Sequence, residues 1–358
     1  MTALLADRLA ARTLELVDIP SPSRHEAALG AHVLAVLQAG GATVHDAGDT
    51  CILAGVTERG SRPLVLLAGH LDTVPAQDNL PGRIEGGAVH GLGAADMQGS
   101  LAVMLELALG DRSADTIDSG FVLFGREELG QADSALTPLL AREPGLRTAD
   151  LVVMLEPTAN DLHLGCLGNI NATWTFRGRS GHSARPWLAD NAIHRAAAGV
   201  AAVAAEPAIE HDAHGLTFTE VVSVTTIAGG IAANVIPDLV TAHVNHRYAP
   251  GTSPEAAAAH LHALCAPHGE LVIDSNAPSG AVPDANPLVA ALQRASGAAV
   301  LPKQAWTPVA EFGLAGIDAV NFGPGDPGQA HTRAEHVAID ALVRSHDALA
   351  ALLRDGAG

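Results

Sequence analysis

Three short runs in the first half of the chain are hydrophobic at every position: Leu64–Ala68, Phe121–Phe124 and Leu151–Leu155. Runs of this kind predict strands covered on both faces, as in a largely parallel sheet between helices. Each leads directly into ionisable residues. The first reaches Gly69-His70-Leu71-Asp72, the second Arg126-Glu127-Glu128, and the third Glu156-Pro157-Thr158. Sites in open α/β sheets form outside the carboxyl ends of strands, so the three runs predict one converging site. The leucine spacing before Pro20 and Pro22 predicts an amphipathic N-terminal helix. LAVMLELAL, residues 101–109, predicts a second helix beginning near Gly99. Asp96 precedes it, on a loop that Gly91 and Gly93 permit to turn tightly. GAVH at 87–90 is a poor strand and the third glycine of a dinucleotide fingerprint is missing, so that reading is set aside.

From Asn171 to about Asn276 the pattern changes. Strand-like segments at 171–178, 220–230 and 239–248 alternate with Ala-rich helical segments at 191–206 and 253–266. This predicts an inserted antiparallel sheet with helices on one face. Near the C-terminus, NFGPGDPGQAHTRAEHVAID (321–340) predicts a Gly/Pro-rich loop and then a helix from about Thr332. The local pattern leaves His331 and His336 equally eligible as a loop ligand.

Length and composition narrow the function. At 358 residues the chain suggests two domains. A formal charge of −19 opposes binding to a phosphate backbone, which excludes nucleic acid as the expected partner. No apolar run approaches the ~20 residues that span a bilayer, so no membrane association is expected. The N-terminus lacks a basic start and a cleavage site, which points to a cytoplasmic protein. Cys51, Cys166 and Cys265 are widely spaced and odd in number, giving neither a disulfide framework nor a thiolate zinc site. Any metal must therefore use imidazoles and carboxylates.

Two histidines with three carboxylates suit zinc, with cobalt or manganese as substitutes. If one carboxylate bridges, five ligands hold two ions, which together activate a water and polarise a carbonyl. Glu127, beside the candidate ligand Glu128, is the natural general base. Asp72, two residues from His70, is expected to accept the other ring N–H of that histidine and orient it.

With these residues assembled, the chain resembles the zinc aminoacylase and carboxypeptidase family, and within it succinyl-diaminopimelate desuccinylases of the actinobacterial type. The resemblance spans nearly the whole chain: GHLDTVP at 69–75, GLGAADMQG at 91–99, REELG at 126–130, LEPT at 155–158, GHSARP at 181–186, NVIP at 234–237 and NFGPGDPGQAHTRAEHV at 321–337. It implies that Asp96 bridges two Zn²⁺ ions, that His70 and Glu156 complete one site, and that Glu128 and His331 complete the other. It also implies Glu127 as base and Asp72 as the orienting group. The implied fold is α/β: a catalytic zinc-peptidase-like domain from residues 1–168 and 283–358, with an inserted α+β dimerisation (lid) domain at 169–282. In a homodimer of this kind His182 reaches the partner's site and stabilises the tetrahedral oxyanion, while Asn234 and Arg247 contact substrate.

The implied activity is hydrolysis of the amide of an N-acyl amino acid, with N-succinyl-LL-diaminopimelate the best match. One stretch departs from the desuccinylase pattern: Pro308 and Glu311 stand where related enzymes carry Asp and Arg. An acid facing the substrate pocket would disfavour a succinyl carboxylate. Another N-acyl amino acid, a dipeptide or a carrier-linked amino acid is therefore the alternative substrate. A non-catalytic metal-binding homologue is a third reading, against which the presence of Glu127 argues.

Overall fold

The computed structural model describes residues 2–356. By internal contacts the chain divides into two compact units: Met1–Gly165 with Val282–Leu301 and Thr307–Gly358, and Cys166–Ala281 with Pro302–Trp306. The short return of 302–306 to the second unit has a local cause. The Gln304 side chain accepts from the Thr219 amide and donates to the Thr217 carbonyl, and Trp306 Nε1 donates to the Pro278 carbonyl.

The first unit is built on an eight-stranded sheet. Its middle runs Asp118–Phe124, Leu64–His70, Leu151–Met154, Ala319–Asn321, all mutually parallel. The Leu64–His70 strand is buried at every position, as a central strand must be when helices cover both faces. Each of its leucines and valines, fully withdrawn from water, contributes roughly 1.5–3 kcal/mol. Helices Thr2–Val17, Gly99–Leu109 and Ile339–Asp355 pack against one another in this unit. The final helix starts at Ile339, not near Thr332 as the sequence predicts, because His336–Ala338 is a strand paired with Ala88–His90. The GAVH segment, a poor strand by its sequence, is thus one after all, paired with Arg83–Glu85 on one side and with the far end of the chain on the other.

The second unit contains a five-stranded antiparallel sheet, ordered Ile209–Ala213, Leu216–Gly229, Leu239–Tyr248, Gly168–Arg177, Glu270–Ala277. Its long strands alternate buried and exposed positions, the signature of a sheet covered on one face. Trp174, Phe176, Val240 and Val244 point inward against helices Ala192–Ala205 and Pro254–Cys265. Asn191 and Ser253 cap those helices by accepting from the amides of Ile193 and Ala256.

Candidate metal centre

The ends of three adjacent parallel strands deliver the candidate ligands. His70 ends its own strand, Glu127 and Glu128 follow Asp118–Phe124, and Glu156 follows Leu151–Met154. His70 Nε2 lies 3.1 Å from Asp96 Oδ1 and 3.8 Å from Glu156 Oε1. His331 Nε2 lies 3.0 Å from Glu128 Oε1 and 3.6 Å from Asp96 Oδ2. Two sets of three groups result, each with one ligand atom per residue within 4.8 Å of the others: His70, Asp96, Glu156 and Asp96, Glu128, His331. Asp96 belongs to both, presenting one oxygen to each histidine. Such an arrangement fits a pair of small cations that share one carboxylate. Glu127 also falls in such a set, with His70 and Glu128, so proximity alone does not separate it from the ligands.

Burial and charge act together here. Burial alone would keep His70 neutral, yet Asp96, Glu127 and Glu156 hold its pKa well above the usual imidazole value. Burial, reinforced by Glu156, pushes Glu127 well above the carboxylate range. The hydrogen bond to Glu128 raises His331 to about 9. A cluster that concentrates negative charge in this way favours cations.

The backbone explains how Asp96 gets there. It sits at φ −129° and ψ 87°, outside helical geometry, in the turn that Gly93 opens at φ 79°. A Cβ on Gly93 would approach Thr73 and Gln98 to 2.9 Å, so only glycine fits. Glu335 fixes the turn from outside: its Oε1 accepts from the amides of Ala95 at 3.0 Å and Asp96 at 3.1 Å. Burial raises Glu335 to about 7. Glu335 lies within the same C-terminal motif as His331, but nothing in the local pattern marks it for this role. His331 itself adopts φ 61°. Its carbonyl accepts from Gln77, and the next carbonyl accepts from Asn79, which anchors the loop. His336 is in a strand and stacks on His90, with ring centroids 5.0 Å apart, so the structure separates the two histidines that local pattern could not.

Asp72 acts differently from expectation. His70 Nδ1 meets the Asp72 backbone carbonyl at 2.9 Å, while the nearer carboxylate oxygen is 3.7 Å away. The carboxylate is engaged elsewhere. It accepts from the amides of Glu127 (2.9 Å) and Glu128 (3.0 Å) and from the Ser23 hydroxyl (2.7 Å). Asp72 therefore shapes the turn carrying both glutamates, and only its main chain orients His70.

Glu311 also departs from expectation. It is 2% exposed, and its carboxyl accepts from the hydroxyls of Ser134 and Thr137. Burial lifts it to about 7. With its oxygens so engaged, Glu311 supplies no argument against a carboxylate substrate. Pro308 lies just before the same short helix, Val309–Leu314. The remaining candidates belong to the second unit. His182 and Asn234 are neighbours there, because the His182 strand pairs with Val235–Ile236 and the Ser183 amide donates to the Asn234 carbonyl. His182 is exposed and its Nδ1 accepts from the Ala184 amide. Arg247 lies on the Leu239–Tyr248 strand, its Nε donating to Asn245 Oδ1 at 2.9 Å.

Comparison with known proteins places this geometry in context. A sequence profile described as peptidase family M20/M25/M40 matches residues 66–355. A Mycobacterium tuberculosis protein assigned as a succinyl-diaminopimelate desuccinylase is 40% identical over 340 residues, covering 94% of this chain and 95% of its own. The succinyl-diaminopimelate desuccinylase of Corynebacterium glutamicum is 34% identical over 340 residues, covering 92% of both. Among solved structures, the M20 family metallo-carboxypeptidase Sso-CP2 of Sulfolobus solfataricus shares the fold with a TM-score of 0.77 at 17% identity, over 97% of this chain and 99% of that one. The profile match over most of the chain and the relatives aligned along nearly their whole length show that this protein belongs to peptidase family M20/M25/M40, the metal-dependent hydrolases of amide bonds.

Proposed function

We propose that the protein is a dinuclear zinc amidohydrolase that removes the succinyl group from N-succinyl-LL-diaminopimelate. The observation that carries the reading is Asp96, whose two oxygens face two separate His/carboxylate sets. His70 and Glu156 would complete one ion's ligands, Glu128 and His331 the other's. Bound there, two ions would acidify a water and polarise the amide carbonyl. Glu127 would take the proton from that attacking water and return it to the leaving amine, a role its place beside His70 and Glu128 allows. His182 would donate to the developing oxyanion, and Arg247 would pair bidentately with a substrate carboxylate, assisted by Asn234.

The proposed assembly is a homodimer in which His182 serves the neighbouring subunit. Trp187 and Ile231, 74% and 87% exposed in the same unit as His182, are apolar surface that a second copy would cover. The proposed location is the cytoplasm. None of the described helices is long and apolar enough to cross a membrane, and the three buried cysteines are free. The substrate names of the full-length relatives support a succinylated amino acid, and the internal bonding of Glu311 leaves another N-acyl amino acid, a dipeptide or a carrier-linked amino acid without a specific observation in its favour.

The test is hydrolysis by zinc-loaded protein of N-succinyl-LL-diaminopimelate, N-acetyl amino acids and dipeptides, with Glu127→Gln as control. Desuccinylation should exceed the other rates, and Glu127→Gln should keep its metal while losing at least about 10²-fold in turnover. Faster cleavage of a dipeptide would overturn the substrate, and a fully active Glu127→Gln would overturn the base.

A further inference from the structure

A second group of imidazoles and a carboxylate lies wholly within the Cys166–Ala281 unit. On the covered face of its sheet, Phe218 and Glu220 alternate along Leu216–Gly229, while Val240, Ala242, Val244, His246 and Tyr248 do so along Leu239–Tyr248. A carboxylate and an imidazole thus occupy positions where the pattern calls for apolar side chains. His246 is fully buried and Glu220 nearly so. His246 Nε2 is 2.9 Å from Glu220 Oε1, and His211 Nε2, from the Ile209–Ala213 strand, is 3.1 Å from Glu220 Oε2. His260 approaches from the Pro254–Cys265 helix, its ring 5.4 Å from that of His246. One ligand atom from each of Glu220, His246 and His260 lies within 4.8 Å of the other two.

Two details distinguish this cluster from an ordinary hydrogen-bonded core pair. His246 Nδ1 is buried without a hydrogen-bond partner, which is costly in a core. His211 Nε2 is likewise buried, and despite its short distance to the Glu220 oxygen it lacks the alignment of a hydrogen bond. Nitrogen and oxygen ligands at ~2.0–2.2 Å from a tetrahedral zinc lie roughly 3.3 Å apart, so a small opening of these contacts would admit the ion. The same spacing recurs at His70–Asp96 and His331–Glu128. Glu206 adds a carboxylate 3.3 Å from His260 Nε2, a contact of the kind that fixes the ring of a metal-bound histidine.

We propose that Glu220, His246 and His260 form a separate site for a divalent cation of the zinc type, with His211 as fourth donor. Four protein ligands and no position for substrate make it a structural site. It would tie three strands of the sheet to the helix that covers them, and binding would displace the proton shared between His246 and Glu220.

The test uses tag-free, full-length protein dialysed against zinc, with metal counted by elemental analysis. His260→Ala, at a half-exposed position where folding is not at risk, should lower the content by one equivalent and leave amide hydrolysis unchanged. In an Asp96→Ala, Glu156→Ala background, one equivalent should remain and disappear when His260→Ala is added. Cobalt(II) should give tetrahedral d–d bands in that background, also lost with His260→Ala. Unchanged metal content in His260→Ala would overturn the site, as would a background that binds no metal. The cluster would then be a hydrogen-bonded core network only. Because these readouts count metal outside the Asp96 centre, a failed assignment of the hydrolytic reaction would leave them unaffected.

Discussion

Glu311 shows how a residue's identity can mislead about its task. Burial favours the protonated carboxyl of Glu311, while the two hydroxyls it accepts from pull the other way without reversing it. Its folded pKa of about 7 stands above the ordinary 4.5. Below 4.5 it is protonated in both states. Between 4.5 and about 7 the unfolded chain releases the proton while the folded chain retains it, so this group's contribution to stability falls as pH rises and is flat above 7. Glu311→Gln removes the titration and keeps the acceptor. In urea unfolding at pH 5 and pH 8, the variant should gain on the unmodified protein at the higher pH, by on the order of 2–3 kcal/mol. Parallel stability curves for the two proteins would contradict the buried, protonated description.

Among the elements, the turn after the Asp118–Phe124 strand bears the most chemistry. Its shape depends on Asp72, whose oxygens hold consecutive amides. Asp72→Asn preserves volume but sets an NH₂ group against one of those donors. It should lower kcat by roughly 10–100-fold while far-UV circular dichroism stays unchanged. An unaltered kcat would show that Glu127 holds its position without this support. The strands that carry His70, Glu128 and Glu156 were legible from sequence because unbroken apolar runs have few alternatives. The Ala88–His90 strand was not: it is only three residues long, and although Arg83–Glu85 pairs with it across the Gly86-Gly87 turn, its other partner lies near residue 337 and leaves no local pattern. For the same reason the final helix seemed to begin early. The role of Asp72 was half legible: its nearness to His70 was evident, but a side chain that serves a loop 55 positions away leaves no trace in local spacing. Glu335, 239 positions from the amide it holds at Asp96, leaves no local trace of that role.

For the whole molecule, two expectations follow from the proposed centre and assembly. Chelation of divalent ions should lower the thermal midpoint, because an ion present at 1,000 times its Kd favours the folded state by about 4 kcal/mol. Calorimetry of chelated and zinc-loaded protein measures this, and identical midpoints would argue against ions bound by the fold. If His182 serves a neighbouring subunit, His182→Ala should lower kcat more than it raises KM. Mixing it with Glu127→Gln should then restore part of the activity, since one site of each hybrid dimer has both groups intact. Inactive mixtures with proven subunit exchange would place His182 in its own subunit's site.

The eight-stranded sheet also constrains the order in which the protein can become complete. Ala319–Asn321 lies between Leu151–Met154 and Leu162–Leu164, so two strands made early wait for one made late. The intervening Cys166–Ala281 stretch is continuous and has its own apolar centre. On the ribosome, therefore, the inserted unit has all its strands available while the older sheet still has an open slot. His331 emerges later still. A growing chain can present Asp96 and both neighbouring glutamates long before their last imidazole, so hydrolytic competence waits until the loop that carries His331 has been made.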